Sequence, residues 1–266
     1  MAKMREAAQK AAEAGARPLP SSISEGTYDN YILLQKSKLG MSRLLKIAYN
    51  YKRGWVVTNY EVNNDDVLVP LNAARLVNDL FKVHGHEIII DGVFNADPHP
   101  GNIICSNGQL ALIDYGQVKR ITNEQRLQFA TSLLLVHEAL KVDPRINPDV
   151  DPQVHQRARA AIIRQARSSG MKTMKDLDET YYEMCCVYFG RLDRTFLYPL
   201  NAIQWTDLMQ KNDPMGSIDE VDYLVMIHMN SLMLRGLAEM LQQPRNLADE
   251  WASFAKVALK NAGRLE

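Results

Sequence analysis

Several things this chain lacks bound what it can be. It has only three cysteines, Cys105, Cys185 and Cys186, two of them adjacent. An odd set so arranged gives no disulfide framework and suits a reducing compartment. No stretch approaches the roughly 18 uninterrupted apolar residues that a membrane-crossing helix needs, so a transmembrane segment is not expected. Charge of neither sign prevails, since 31 Lys and Arg balance 31 Asp and Glu. Without a basic field, nucleic acid is excluded as a partner. Internal repeats and low-complexity tracts are missing, and Glu6 and Glu13 dilute any targeting signal in the Ala-rich start. What is present is 266 residues with 46% apolar content, enough for a substantial core.

The patterning divides the chain into an N-terminal helical arm over 1–54, partly flexible, and one larger domain over 55–266. Residues 2–14 are strong helix formers with little to bury, and Pro18 to Ser22 ends that helix. A helical pattern over 28–53 is interrupted by Gly40, and Trp55 to Tyr60 reads as a strand. From Leu71 the spacing of Ala74, Val77, Leu80 and Phe81 predicts a helix starting at Pro70 or Asn72. Ile88-Ile89-Ile90 reads as its buried end, with a strand as the alternative, closed by Asp91-Gly92. Thr122 to Gln125 is a capping box, followed by Leu127, Ala130, Leu134 and His137 on one face. Further helices are predicted over 152–168, over 176–189, from a cap at Ser217–Glu220 to Leu241, and over 247–261. The fold class is therefore α+β, mostly α, with a small β element.

The chemistry concentrates between Asn95 and Gly116 (NADPHPGNIICSNGQLALIDYG). Asn107-Gly108 between two apolar runs is a strong two-residue hairpin signal. With that turn, Ser106 faces Gln109, and the pairing runs outward to set Asn102 opposite Ile113 and Asp114 opposite Gly101. Asn102 and Asp114 then meet at the open end of the hairpin, within about 5–8 Å. Asp97 enters the same corner from the Pro-rich turn Asp97-Pro98-His99-Pro100-Gly101.

Carboxylate and amide oxygens are hard ligands suited to Mg²⁺, which takes one or two protein carboxylates together with phosphate oxygens. Protein kinases use such a set: a catalytic-loop Asp, an Asn five residues on, and a metal-binding Asp in a D-F-G triplet. Each residue alone reads as an ordinary turn or helix-entry residue, so the spacing and the hairpin together carry the reading. His99 stands two residues after Asp97, where it either lends charge near a transferred phosphate or holds the turn. His84, His86, His99 and Cys105 do not make a zinc site, because the first two are two residues apart on a predicted helix and share no face. Cys185-Cys186 on an apolar helix is core packing.

Gly92 to Asn102, with Asp114-Tyr115-Gly116-Gln117, resembles the UbiB family of atypical, protein-kinase-like proteins. The resemblance runs from about Trp55 through the C-terminal helices, including Ser231 to Leu237. It implies a kinase-like C-lobe in which Asp97 and His99 are catalytic, Asn102 and Asp114 bind metal, and Asn102, Asp114 and Gly116 hold nucleotide. The implied cofactors are Mg²⁺ and ATP. The implied setting is prenylquinone and lipid homeostasis in a mitochondrion or plastid, with weak ATPase activity rather than protein phosphorylation. A prenylquinone-related or other lipid molecule and peripheral membrane association belong to the same implication.

Two departures shape the expectation. Only five residues separate Gly116 from Thr122, too few for an activation segment that would hold a peptide. Upstream of Asp97, there is no Gly-rich nucleotide loop and no strand Lys, since Lys36, Lys38, Lys46 and Lys52 fall in helical or loop contexts. The chain is accordingly expected to be a C-lobe with a remnant hinge over Val56–Val62, the product of a truncated gene or partial gene model, binding Mg-nucleotide weakly with little turnover alone. The alternatives are a catalytically dead pseudokinase-like helical scaffold and a membrane-surface protein acting through Arg157, Arg159, Arg164 and Arg167.

Overall fold

A computed structural model describes residues 23–34, 37–38, 72–106, 109–216 and 221–265. The patterns at 2–14, at most of 28–53 and at the strand Trp55–Tyr60 lie outside these residues, as do the Asn107-Gly108 turn and the cap at Ser217–Glu220. Residues 25–34 are helical. They are tied to the next helix by Arg75, which reaches Glu25 and Asp29 at 2.7 Å each.

Helix α1 (Ala73–His86) starts where Asn72 Oδ1 accepts from the Arg75 N–H at 3.0 Å, replacing one missing helical bond. Its buried stripe of Ala74, Val77, Leu80, Phe81 and His84 keeps the helical spacing. The run Glu87–Asp91 continues it as a π-helical turn and stops at Gly92, whose φ of 68° is left-handed. The wider turn buries Ile88 and Ile89 completely while Ile90 stays partly covered. The run is thus the buried end of the helix, in π rather than α spacing, and not a strand.

Two antiparallel ribbons follow. Strand β1 (Val93–Asn95) pairs with β4 (Val118–Arg120), Asn95 facing Val118. Between them a 3-10 turn at Pro100–Asn102 leads into the hairpin of β2 (Ile103–Ser106) and β3 (Gln109–Leu112). Its register sets Ser106 against Gln109 and Ile103 against Leu112, as the Asn-Gly turn required.

The remaining chain is helical: α2 (Asn123–Lys141), α3 (Pro152–Ser168), α4 (Asp178–Tyr188), the short α5 (Arg194–Leu197), α6 (Ala202–Asn212), α7 (Asp222–Met240) and α8 (Leu247–Asn261). The Thr122 capping box forms in full. Along α2 the buried arc is Leu127, Phe129, Ala130, Leu133, Val136 and Leu140, while Leu134 packs at its margin. Helix α8 lies along α2 and touches α1, so these three enclose Trp251, whose indole N–H donates to the Phe81 carbonyl at 2.8 Å. Cys185 and Cys186 sit buried in the core with pKa values raised by burial. Arg235 on α7 is also buried and donates to the carbonyls of Val187, Tyr188 and Gly190, closing the C-terminus of α4. The architecture is α+β and mostly helical, with the two ribbons set where α1 gives way to α2.

Candidate functional site

The short strand β1 delivers the chain to the corner with Phe94, Asn95 and Ala96 all buried. The Asn95 side chain then joins two segments distant in sequence. Its Oδ1 accepts from the Asp97 N–H at 3.0 Å, and its Nδ2 donates to the Asp114 carbonyl at 2.8 Å. The backbones of residues 97 and 114 are thus held by one planar amide. Ala96 N–H adds a bond to the Gln117 carbonyl at 2.8 Å.

At the open end of the hairpin the Ile113 N–H donates to the Asn102 carbonyl, extending the ladder by one step beyond Ile103–Leu112. Asn102 Nδ2 consequently reaches Asp114 Oδ2 at 3.3 Å. Asp114 Oδ1 accepts from the Gly116 N–H at 2.7 Å, so the carboxylate is held from both sides. The structure therefore brings Asn102, Asp114 and Gly116 into one hydrogen-bonded group and ties Asp97 to it through Asn95. Asp97 and Asn102 are half-buried, whereas His99, Asp114 and Gly116 are exposed. The His99 Nδ1 accepts from the Gly101 N–H at 3.0 Å, so in this arrangement the ring holds the turn.

Three residues that the sequence did not single out as functional support this group. Asn95 is the joining amide. Asn230 on α7, fully buried, donates to the Asn95 carbonyl at 2.5 Å. Glu87, in the π turn, accepts from the Tyr115 hydroxyl at 3.4 Å and the Asn95 N–H at 3.5 Å. Partial burial, with Glu87 adding to it, raises the Tyr115 pKa and keeps the phenol neutral. Sequence spacing carries no signal for Asn230, which lies 135 residues from its partner.

Among the described residues, no three His, Cys, Asp or Glu side chains gather closely enough to hold a metal ion. The corner's donor set is two carboxylates and an amide. His84 is buried with its Nδ1 on the Leu80 carbonyl, and His86 turns to Asp91. No described helix is long and apolar enough to cross a membrane. In the arginine-bearing α3, Arg159 pairs with Glu179, and Arg167 pairs with Asp176 and Asp178. Arg157 and Arg164 are exposed.

A cleft of about 370 Å³ lies among His137, Lys141, Arg191, Arg245 and Asp249. It sits toward the far end of α2, roughly 20 Å from Thr122 at 1.5 Å per residue. Each basic side chain among these meets a carboxylate: His137 with Asp249, Lys141 with Glu138, Arg191 with Asp193 and Arg245 with Glu250. The cleft therefore has little charge left with which to hold an anion, and it is remote from the corner.

Residues 52–142 match the model of the ABC1 atypical kinase-like domain. That stretch contains both ribbons, the corner and α2, and it ends before α3. An uncharacterized protein of Synechocystis sp. is 47% identical over 57 residues, which is 21% of this chain and 14% of that protein. The match thus spans a small part of that relative's length. No solved structure matches the chain.

Proposed function

We propose, for a chain that belongs through residues 52–142 to the ABC1 atypical kinase-like family, that the Asp97–Asn102–Asp114 corner binds Mg-ATP and supports slow phosphoryl chemistry. The observation carrying this reading is the contact of Asn102 with Asp114 at 3.3 Å, with the Asp97 segment tied to it by Asn95. Two carboxylates and an amide oxygen are hard donors in a number suited to Mg²⁺, which fills its remaining positions with water and phosphate oxygens. On donor chemistry, the residues present fit that ion.

In this reading Asn102 and Asp114 would hold the metal, which would supply neutralisation of phosphate charge. Asp97 accepts the proton of the attacking water or hydroxyl. The Gly116 N–H fixes the Asp114 carboxylate, so the ligand is oriented before anything binds. His99 keeps the turn between Asp97 and Asn102 in shape. The substrate favoured is water or a small molecule rather than a protein. Directly after Gly116-Gln117 the chain enters β4 and pairs with β1, which leaves no loop to dock a peptide.

Asp114, Tyr115 and Gly116 are exposed, so water reaches the position a phosphate would take and weakens every charge interaction there. Weak binding and low turnover are the expected behaviour of this chain alone. That exposure also favours a second reading, a catalytically inert nucleotide-binding scaffold. The family resemblance further suggests prenylquinone or lipid homeostasis as the setting, in a mitochondrion or plastid with peripheral membrane contact. Pairing of Arg159 and Arg167 within the fold speaks against α3 as a lipid-binding face.

Calorimetric titration of ATP with and without Mg²⁺, on the wild type and Asp114→Ala, tests the assignment. Mg²⁺ should tighten wild-type binding about tenfold or more, and the variant should lose that gain, about 1.4 kcal/mol per decade. Equal binding by both proteins sinks it. Turnover by the wild type with none by Asp97→Asn separates the enzyme from the inert scaffold.

A further inference from the structure

We infer that Asn95 is the positioning residue of the corner and that Asn230, from α7, sets Asn95 in place; this deepens the nucleotide reading above and rests on it. A side-chain amide offers an acceptor and a donor on the same rigid plane. Asn95 uses both ends, Oδ1 toward the Asp97 N–H at 3.0 Å and Nδ2 toward the Asp114 carbonyl at 2.8 Å. The segment bearing Asp97 and the segment bearing Asp114 are thereby held apart by the width of one amide.

Asn95 is itself constrained from three directions. Its backbone pairs with Val118 in the β1–β4 ribbon, its N–H points to Glu87, and its carbonyl accepts from Asn230. Asn95 is 2% exposed and Asn230 is 0% exposed, so neither can borrow water when its partner is removed. The atom of Asn230 facing the Asn95 carbonyl has to be the donor, which leaves Asn230 Oδ1 buried without a partner among the described residues. A helix that needed only to pack here would be better served by an apolar residue. The amide of Asn230 is explained by the single bond it makes to Asn95. Helix α7 thus reaches the corner through one hydrogen bond, from Asn230 to the residue that holds both of its walls.

The test measures the Mg²⁺-dependent gain in ATP affinity by calorimetry, alongside thermal melting, for the wild type and N95A, N95D and N230A. N95D is isosteric and keeps the acceptor, but it turns an oxygen toward the Asp114 carbonyl. Leu133→Ala, in the core of α2 and remote from the corner, serves as the control for destabilisation alone. The expected result is that all three Asn variants lose about tenfold or more of the Mg²⁺-dependent gain while Mg²⁺-free affinity is retained. Leu133→Ala melts lower and keeps the gain. Folded Asn variants with the wild-type gain would overturn the positioning role and leave the metal corner standing. A wild type without any gain removes the corner and this inference together. Should N95A or N230A fail to melt cooperatively, N95D, which keeps the side-chain volume, and Asn230→Ser, which keeps a hydroxyl donor, decide the matter by the same ratio.

Discussion

Asn102 Nδ2 donates to Asp114 Oδ2 at 3.3 Å across the open end of the β2–β3 hairpin, twelve residues apart in sequence. The hairpin acts as a ruler: one residue more or fewer on either strand would turn one of the two side chains to the opposite face. Because Gly116 holds the other carboxylate oxygen at 2.7 Å, Asp114 is oriented by its own turn as well as by its neighbour.

His99 offers a way to separate shape from charge at this corner. Its Nδ1 accepts from Gly101, a task an Asn can perform and a Lys cannot. His99→Asn should keep Mg-ATP affinity close to wild type, while His99→Lys should weaken it about tenfold, or 1.4 kcal/mol. Calorimetry on the two variants decides, and the reverse order would restore a role for charge.

Gly85 of α1 lies directly against Trp251 and Phe254 of α8. A methyl group there would lie 2.7 Å from two atoms of the Trp251 ring. That ring is held by its bond to Phe81 and an edge-on contact with Phe129 at 6.3 Å between centroids. Helix propensity favours Ala over Gly by about 1 kcal/mol, but overpacking costs about 1–3 kcal/mol and a buried hydrogen bond is also lost. Gly85→Ala should therefore lower the melting temperature, as followed by circular dichroism.

Arg145 joins two carboxylates that are almost wholly enclosed, Asp143 at 2.5 Å and Glu183 at 3.1 Å. Burial pushes the Asp143 pKa up, but the bonds and charge of Arg145 more than offset this and hold it below the usual carboxylate range. Arg145→Ala removes the ion pair from both buried acids and the face-on contact with Phe196 at 4.0 Å. The expected loss is about 3–5 kcal/mol, read from the urea midpoint.

Acid should destabilise the fold through His228. Burial, and then the charge of Arg235, lower its pKa from 6.5 to about 3. The unfolded chain therefore binds a proton that the folded chain refuses. The resulting stability is present above pH 6.5 and is lost as pH falls toward about 3, with a slope of at most about 1.4 kcal/mol per pH unit. Burial lowers the pKa of His84 as well, so its contribution has the same sign. His228→Phe, which keeps a ring against Tyr188, should flatten but not abolish the acid limb of a stability–pH profile.

The features readable in the sequence were those fixed by local chemistry. Asn107-Gly108 specified the register that joins Asn102 to Asp114, Thr122 and Gln125 marked the start of α2, and the helix expected over 247–261 is α8. What escaped was set by distant partners or by patterns too short to read. Val93–Asn95 and Val118–Arg120 are three-residue strands whose polar Lys119 and Arg120 carry no alternation signal. The three consecutive isoleucines were readable as the buried end of α1, but nothing in their order announced that the turn would be π rather than α. Helix α4 begins at Asp178, two residues later than the expected 176, with Asp176 in a positive-φ conformation just before it. Nothing local marks Asn95 as the joining residue, since its partners at residues 114 and 230 are distant in sequence.

The β1–β4 ribbon makes the two sides of the corner unequal in how they can fluctuate. The side bearing Asp97 hangs from Phe94 and Asn95, so opening it exposes core and is expected only with larger-scale unfolding. The side bearing Asn102 leads into a hairpin with exposed Ile104 and Cys105, which can open at far lower cost. A ligand spanning both sides therefore needs to quiet only the hairpin. In amide exchange, its footprint should be protection gained along β2 and β3, against a floor already slow before anything binds.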